Sequence, residues 1–338
     1  MQKHVIVTGG AGYIGSHTII ELLERTDHHV ISIDNFSNST EETYERIEKI
    51  SKKKFSKFNI DLCDFEKLST ALYHFEDIVG VIHFAAFKSV GESTLDPLKY
   101  YHNNIVSLVN ILKICETKQI SNFIFSSSCS VYGNTKALPV TEDTPLQKAA
   151  SPYGYTKQVG EEMLEEFCGI KPFLKSIALR YFNPVGAHMS GLNGELSSNK
   201  PSNLVPIITQ TAAGKNSLTV HGNDYDTRDG TCIRDYVHVS DIADAHLKAL
   251  DFLMNAKKSS AYSVYNLGTG NGVSVLEAIT AFEKVTGQKL NYSIGPRRDG
   301  DVVEIYSDSS KAHKDLGWTP KHDIDDMMLS AWKWQGSV

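Results

Sequence analysis

The sequence predicts an α/β protein: a doubly wound parallel sheet with a second, smaller mixed α/β lobe. Three observations predict it. Short β-branched runs alternate with helix-length amphipathic stretches through the first half of the chain, as in a parallel sheet covered by helices on both faces. A glycine-rich turn joins the first such run to the first helix. Beyond residue 182 glycine and asparagine become more frequent, loops lengthen and the elements become irregular. A length of 338 residues suits two modest domains, or one large domain with a smaller lobe. The expected division is 1–182 and 183–338, with later segments such as 236–255 crossing back.

The elements follow in order. Strands are expected at residues 4–8, 30–34, 55–60, 80–84 and 122–126, and helices at 13–25, 65–75 and 97–118. The stretch 40–57 is highly charged, and its Lys52-Lys53-Lys54 run reads as a surface loop. Residues 236–246 read as the end of a strand passing into a helix. No internal repeat or low-complexity tract interrupts the pattern.

Composition narrows the function. Lys and Arg number 34 against 40 Asp and Glu, a net charge of -6, so the overall field does not attract nucleic acid or anionic membrane. Small anionic ligands need only local cations. Five cysteines, an odd number without a CxxC pair, show no metal-ligand spacing and read as buried free thiols in a reducing cytoplasm. The N-terminus runs straight into Val5-Ile6-Val7 with no leader pattern, and no apolar run approaches the roughly 18 residues that suggest a span. A cytoplasmic location is therefore expected.

The turn Gly9-Gly10-Ala11-Gly12-Tyr13-Ile14-Gly15 follows Val5-Ile6-Val7-Thr8. Its GxxGxxG spacing sits between a predicted strand and a predicted helix, the context a dinucleotide site requires. Gly9 permits the tight turn, Gly12 a close approach to a pyrophosphate, and Gly15 the packing of helix on sheet. The helix N-terminus offers N–H groups and a positive dipole end to phosphates. Asp34 ends the second strand 19 residues past Gly15, close to the ~20 expected of a ribose-binding acid, and favours NAD over NADP. Asp61 follows the third strand. It is positioned either to accept from an adenine amino group or to cap the next helix, for which Asp64 is the better cap.

A second constellation lies in Ser151-Pro152-Tyr153-Gly154-Tyr155-Thr156-Lys157. Ser151 is a natural N-cap and Pro152 a natural first-turn residue. Tyr153 and Lys157 then share one helix face. An ammonium near a phenol, together with a positively charged nicotinamide, lowers the phenol pKa and makes a general base for a sugar hydroxyl. The strand before it ends in Ser126-Ser127-Ser128-Cys129-Ser130, where Ser128 is placed to share the proton.

These blocks resemble the extended short-chain dehydrogenase/reductase family, and within it the UDP-galactose 4-epimerases. The similarity also runs through residues 81–93, Tyr100-Tyr101-His102-Asn103-Asn104, Tyr181-Phe182-Asn183-Pro184-Val185-Gly186, Gly222-Asn223-Asp224-Tyr225, Arg234-Asp235-Tyr236-Val237-His238, Tyr265-Asn266-Leu267-Gly268 and residues 296–301. The resemblance implies a Rossmann domain with a UDP-sugar lobe, bound NAD, and a homodimer formed through a helix pair including 97–118 and the Tyr153 helix. It implies an NAD site lined by Tyr13, Ile14, Asp34, Asn35, Asn38, Ser39, Asp61, Leu62, Phe84, Ala85, Ala86, Lys88, Asn103, Ser128, Tyr153, Lys157 and Phe182.

It further implies a UDP-hexose site at Ser128, Tyr153, Asn183, Asn203, Leu204, His221, Arg234, Arg298, Asp301 and Ile305. Guanidinium forks at Arg234 and Arg298 suit a diphosphate. Asp301 suits a ribose hydroxyl, and His221 either stacks on uracil or caps a strand. Ile305 matches a position beside the sugar C2 substituent, and its intermediate size implies a preference for UDP-glucose and UDP-galactose over N-acetyl sugars. Two rivals share the fold. A nucleotide-sugar 4,6-dehydratase resembles this chain but carries an Asp-Glu pair where Cys129-Ser130 stand. A catalytically silent NAD-binding regulator would be expected to lack Tyr153 or Lys157.

Overall fold

The computed structural model describes residues 2–196, 201, 203–255, 261–298 and 301–338. In chain order the elements are β1 (His4–Thr8), α1 (Tyr13–Arg25), β2 (His29–Asp34), α2 (Glu42–Ser51), β3 (Ser56–Asn59), α3 (Phe65–Leu72), β4 (Ile78–His83), α4 (Val90–Leu95), α5 (Pro97–Lys118), β5 (Asn122–Ser128), a 3-10 turn (Cys129–Tyr132), α6 (Pro152–Ile170) and β6 (Lys175–Tyr181). The second half contributes β7 (Asn183–Val185), α7 (Leu204–Ala212), β8 (Leu218–His221), β9 (Ile233–His238), α8 (Val239–Asn255), β10 (Tyr262–Leu267), β11 (Gly272–Ser274), α9 (Val275–Thr286), β12 (Tyr292–Gly295), β13 (Glu304–Ile305), α10 (Ser310–Leu316) and α11 (Ile324–Gln335).

The central sheet has seven strands in the order β10-β6-β5-β4-β1-β2-β3. β1 pairs in parallel with both β2 and β4, so the strand order reverses between β1 and β4. A sheet of this kind binds ligands at the carboxyl ends of its strands, at that reversal. Ile6, Ile31, Ile33, Val81, Phe123 and Phe125 of the sheet are buried against Leu68 and Leu72 of α3, Leu108 and Ile111 of α5 and Leu164 of α6. Each such side chain contributes roughly 1.5–3 kcal/mol by leaving water.

The chain divides into two compact units. The first comprises Met1–Thr135, Thr144–Arg180 and Ala243–Tyr265, and the second Lys136–Asp143, Tyr181–Ile242 and Asn266–Val338. Residues 136–143 join the second unit, and residues 243–265 return to the first. The second unit holds the sheet β11-β9-β13, with β7 pairing β9, and the two-stranded β12-β8. Its core is built from Val205 and Ile208 of α7, Ala278 and Phe282 of α9, and Met327 and Met328 of α11. No helix among the described residues is long and apolar enough to cross a membrane.

The expected strands and helices appear within a few residues, and α2 is added among them. The charged stretch 40–57 contains α2, which buries Thr43, Tyr44 and Ile47. Lys52 closes that helix in the left-handed region at φ 58°. The lysine run after it is exposed loop, as expected, where Lys53 donates to the Leu23 carbonyl and Lys54 pairs with Glu48.

Candidate active site

The glycine turn is fixed by contacts that admit no side chain. Gly9 has φ 68°, and a Cβ there would lie 2.7 Å from the Ala85 backbone nitrogen. The loops after β1 and β4 thus touch at the strand reversal. A Cβ at Gly15 would lie 2.2 Å from the Gly9 carbonyl oxygen, so α1 starts as close to the turn as backbone allows. α1 has no side-chain cap at Gly12 and no acidic residue in its own first turn.

Asp34 closes over this turn. Its carboxylate accepts from Ala11 N at 3.0 Å, Phe36 N at 2.9 Å and Ser39 Oγ at 3.0 Å. Burial raises its pKa, while those donors oppose the shift. Asn35 donates to Asp61 at 3.2 Å, and Asp61 accepts from Cys63 N at 2.8 Å. The cap of α3 is Asp64, which accepts from Lys67 N, so Asp61 is left facing Asn35. A cavity of about 580 Å³ brings Asn35, Asp61, Phe87 and Asn103 together. Leu62 is buried, and its carbonyl accepts from Asn110 at 2.9 Å. After β4, Phe84 N donates to the Thr8 carbonyl at 3.0 Å, and Ala85 N lies 3.4 Å from Thr8 Oγ1. Ala86 sits in the same loop, and the Lys88 ammonium stands 5.7 Å from the centre of the Tyr13 ring. Ile14 is in the first turn of α1, and Asn38 lies in the loop after β2 beside Ser39.

Across the sheet, Ser151 caps α6 by accepting from Gly154 N, with Pro152 in the first turn. This aims Tyr153 and Lys157 at the end of β5. The Ser128 side chain acts on the Tyr153 phenol and opposes its rise in pKa, and Lys157 Nζ donates to the Ser126 carbonyl at 2.6 Å. The Lys157 ammonium lies 6.0 Å from the centre of the Tyr153 ring. The sequence reading calls on two cations, the Lys157 ammonium and a positively charged nicotinamide. In the protein alone burial pushes the Tyr153 phenol up to about 12, although Ser128 opposes the shift, and burial pushes Lys157 down to about 7. Cys63 and Cys129 are half-buried rather than buried, while Cys115, Cys168 and Cys232 are buried. Among the described residues no group of His, Cys, Asp and Glu is arranged to hold a metal.

The second unit carries the residues expected to hold a nucleotide-sugar. Arg234 on β9 lies 3.6 Å from Asp301, and Arg298 donates to the same carboxylate at 3.0 Å. Ile305 on β13 is buried and pairs in register with Arg234. His221 ends β8, with Nδ1 3.3 Å from the Pro296 carbonyl. Asn203 and Leu204 begin α7, where Asn203 contacts Glu195 at 3.5 Å and Leu204 packs on the second core. Phe182 N donates to Leu267 O at 3.1 Å, and Asn183 pairs in register with Tyr236. The structure thus gathers Arg234, Arg298, Asp301 and Ile305, while Asn203 and Leu204 are engaged with other partners.

A family model described as GDP-mannose 4,6 dehydratase matches residues 6–330. The UDP-glucose 4-epimerase of Dictyostelium discoideum is 47% identical over 336 residues, covering 99% of this chain and 96% of that protein. The chain belongs to the UDP-glucose 4-epimerase family. A crystal structure of the family from Stenotrophomonas maltophila, with bound NAD and formylated UDP-arabinopyranose, matches with a TM-score of 0.95 at 44% identity, covering 99% of this chain and 98% of that one. The Bifidobacterium longum epimerase in complex with NAD+ and UDP matches at 0.93 and 44%, with the same coverage.

Within this epimerase-family fold two groups matter that the sequence motifs did not single out. Asn104 is buried. It accepts from Phe87 N at 2.8 Å and donates to Phe87 O at 3.1 Å and Thr156 Oγ1 at 3.0 Å. Thr156 in turn donates to the Tyr153 carbonyl, so Asn104 ties the loop after β4 to the start of α6. Glu161 and Arg180 form a buried ion pair at 2.5 Å behind Lys157. The available signal was a polar residue within an apolar helix pattern; its partners were visible only in three dimensions.

Proposed function

We propose that this protein interconverts UDP-galactose and UDP-glucose by NAD-mediated oxidation and re-reduction at the sugar C4. The observation that carries the reading is Tyr153 and Lys157 one helical turn apart on α6, with Lys157 held to the Ser126 carbonyl at the end of β5, in a sheet whose β1 turn is shaped for a dinucleotide. The residues fit NAD. The uncapped start of α1, the Gly9 and Gly15 contacts that leave no space for a Cβ, and the cavity holding Asn35, Asp61 and Asn103 suit a pyrophosphate and an adenosine. Gly9, Gly12, Tyr13, Ile14 and Gly15 would hold the pyrophosphate. Asp34, Asn35, Asn38, Ser39, Asp61 and Leu62 would hold the adenosine, and Phe84, Ala85, Ala86, Lys88, Asn103 and Phe182 the remainder.

NAD, when bound, supplies reversible hydride acceptance and a positive charge. Tyr153 takes the proton of the C4 hydroxyl as the C4–H bond breaks, and returns a proton when the 4-keto sugar is reduced on its other face. Ser128 shares that proton, and the Lys157 ammonium stabilises the phenolate. Because the protein alone holds the phenol near 12, the base needs further positive charge to form at neutral pH. Arg234 and Arg298 release Asp301 to grip the diphosphate, while Asn183, Asn203, Leu204 and His221 surround the nucleotide. Binding energy from the remote UDP holds the keto intermediate while its reactive end turns.

The protein acts in the cytoplasm as a homodimer through α5 and α6. Cys129-Ser130 offer no carboxylic acid, which disfavours the dehydratase reaction. Incubating purified protein with UDP-galactose and with UDP-N-acetylgalactosamine, side by side, tests the reading. UDP-glucose is expected as the main product. Absence of any conversion by NAD-loaded protein would overturn the epimerase reading, and equal turnover of the N-acetyl sugar would overturn the selectivity assigned to Ile305.

A further inference from the structure

Three consecutive serines meet three residues spaced by four along α6. The Ser128 side chain acts on the Tyr153 phenol, the Ser126 carbonyl accepts from Lys157, and the Ser127 hydroxyl donates to Glu161. Ser127, Lys157 and Glu161 are all buried. Glu161 also receives the Arg180 guanidinium through Nε at 2.9 Å and Nη2 at 2.5 Å, and Arg180 Nη1 donates to the Tyr132 hydroxyl at 2.9 Å. Tyr132 belongs to the 3-10 turn that follows the serines. The carboxylate therefore braces both ends of the turn carrying Ser128.

A buried ion pair is weak evidence for stability, because two desolvated charges often do no better than apolar groups of the same size. This pair has a third charge beside it. Arg180 pairs with the Glu161 carboxylate, and Lys157 stands one helical turn before it on α6, so removing Glu161 takes the nearby negative charge from two buried cations. The groups facing Lys157 are Tyr153 and Glu161 from α6 and His83 from β4. Arg180 from β6 and Tyr262 from β10 act on Glu161, and Cys129 acts on Tyr153. Within this set Glu161 raises the Lys157 pKa against the burial that lowers it.

We propose that Glu161 is a positioning residue for proton transfer: it clamps the serine turn to α6 through Ser127 and supplies the counter-charge of the Lys157 ammonium. The inference rests on the epimerase reading of Tyr153 and Lys157. It differs from a purely structural role in one consequence: without the carboxylate charge, Lys157 loses its proton at lower pH.

The test compares wild type, Glu161→Gln, Ser127→Ala and the double variant Glu161→Gln/Arg180→Met, all NAD-loaded. Glu161→Gln is expected to lower kcat about tenfold or more near neutral pH, with KM for UDP-galactose within about threefold, and to move the alkaline limb of kcat down by about one pH unit. Ser127→Ala is expected to lower kcat without moving that limb. The double variant removes both members of the pair. It is expected to recover thermal stability lost in the single variant but not kcat or the alkaline limb. Recovery of all three would overturn the proposal and leave Glu161 as a partner of Arg180 only, as would a Glu161→Gln enzyme with wild-type kcat and limb. A substrate-free readout is nuclear magnetic resonance titration of the Lys157 ammonium, assigned against Lys157→Met. A fall of about one unit in the double variant supports the proposal even where the single variant does not fold, and an unmoved titration overturns it. Since it uses no sugar, its outcome is independent of whether UDP-galactose is turned over.

Discussion

Replacing Asn104 by Ala would release the start of the catalytic helix while leaving the surface unchanged. The substitution deletes four hydrogen bonds: those to Phe87 N and Phe87 O, to Thr156 Oγ1, and from Asn103 Nδ2 at 3.0 Å. A net bond is worth about 0.5–1.5 kcal/mol, and a buried donor left unpaired, here Phe87 N, costs about 1–3 kcal/mol. Allowing for relaxation, the expected loss is roughly 2–4 kcal/mol. With about 2.1 cal/mol/K of unfolding entropy per residue, a 338-residue chain converts this into a fall in Tm of about 3–6 °C. The catalytic effect is expected to exceed the stability effect. Thr156 lies between Tyr153 and Lys157, and a misplacement of about 1 Å can cost roughly 100-fold in rate. Scanning calorimetry and steady-state kinetics on the same preparation measure both. A Tm within 1 °C of wild type together with an unchanged kcat would refute the idea that this amide aligns the helix.

Three further outcomes follow from the same geometry. Gly15→Ala forces a Cβ to 2.2 Å from the Gly9 carbonyl, a backbone atom that cannot yield cheaply, so the purified variant is expected to retain little NAD by absorbance and mass spectrometry. Arg234→Ala is expected to raise KM for UDP-galactose by more than about tenfold, the scale of losing a charge-assisted bond to phosphate of roughly 1.5–3 kcal/mol, with a smaller change in kcat. His83 is buried beside Thr8 Oγ1 at 2.8 Å, and burial pushes its pKa down to about 3. The folded protein therefore keeps it neutral while the unfolded chain protonates it below its ordinary 6.5. Its contribution is fully present above pH 6.5 and is lost as pH falls from there toward 3. Urea unfolding between pH 7 and 5 should show His83→Gln losing stability less steeply than wild type, by about 1.4 kcal/mol per pH unit below 6.5.

Much of the fold could be read directly from the chain, because it rests on local chemistry. The 13–25 and 97–118 helices and the first strand have the bounds expected from periodicity and capping. Asp64 and Ser151 cap as their side chains suggest. α2 escaped notice because six polar positions outside the buried face dilute a narrow apolar stripe at Tyr44 and Ile47, whose burial only the sheet reveals. β6 and β10 extend the sheet beyond the five expected strands, and β10 returns from far along the sequence. At the site, glycine spacing and the Tyr153/Lys157 interval were legible because one turn and one helix carry them. The roles of Asn104 and Glu161 were not, since a buried amide or carboxylate is defined by partners 52 and 19 residues away. The burial that raises the Tyr153 phenol in the protein alone was not legible either, because it is tertiary.

The central claim is that one half-buried phenol moves the C4 proton during NAD-mediated epimerisation. Tyr153→Phe tests it most directly, because the ring and its packing remain and only the hydroxyl is lost. Turnover of UDP-galactose by NAD-loaded Tyr153→Phe should fall about 10²–10⁴-fold, the usual worth of a positioned acid–base group, with NAD content and UDP affinity retained. A variant that binds both and still converts UDP-galactose within tenfold of wild type would contradict the assignment.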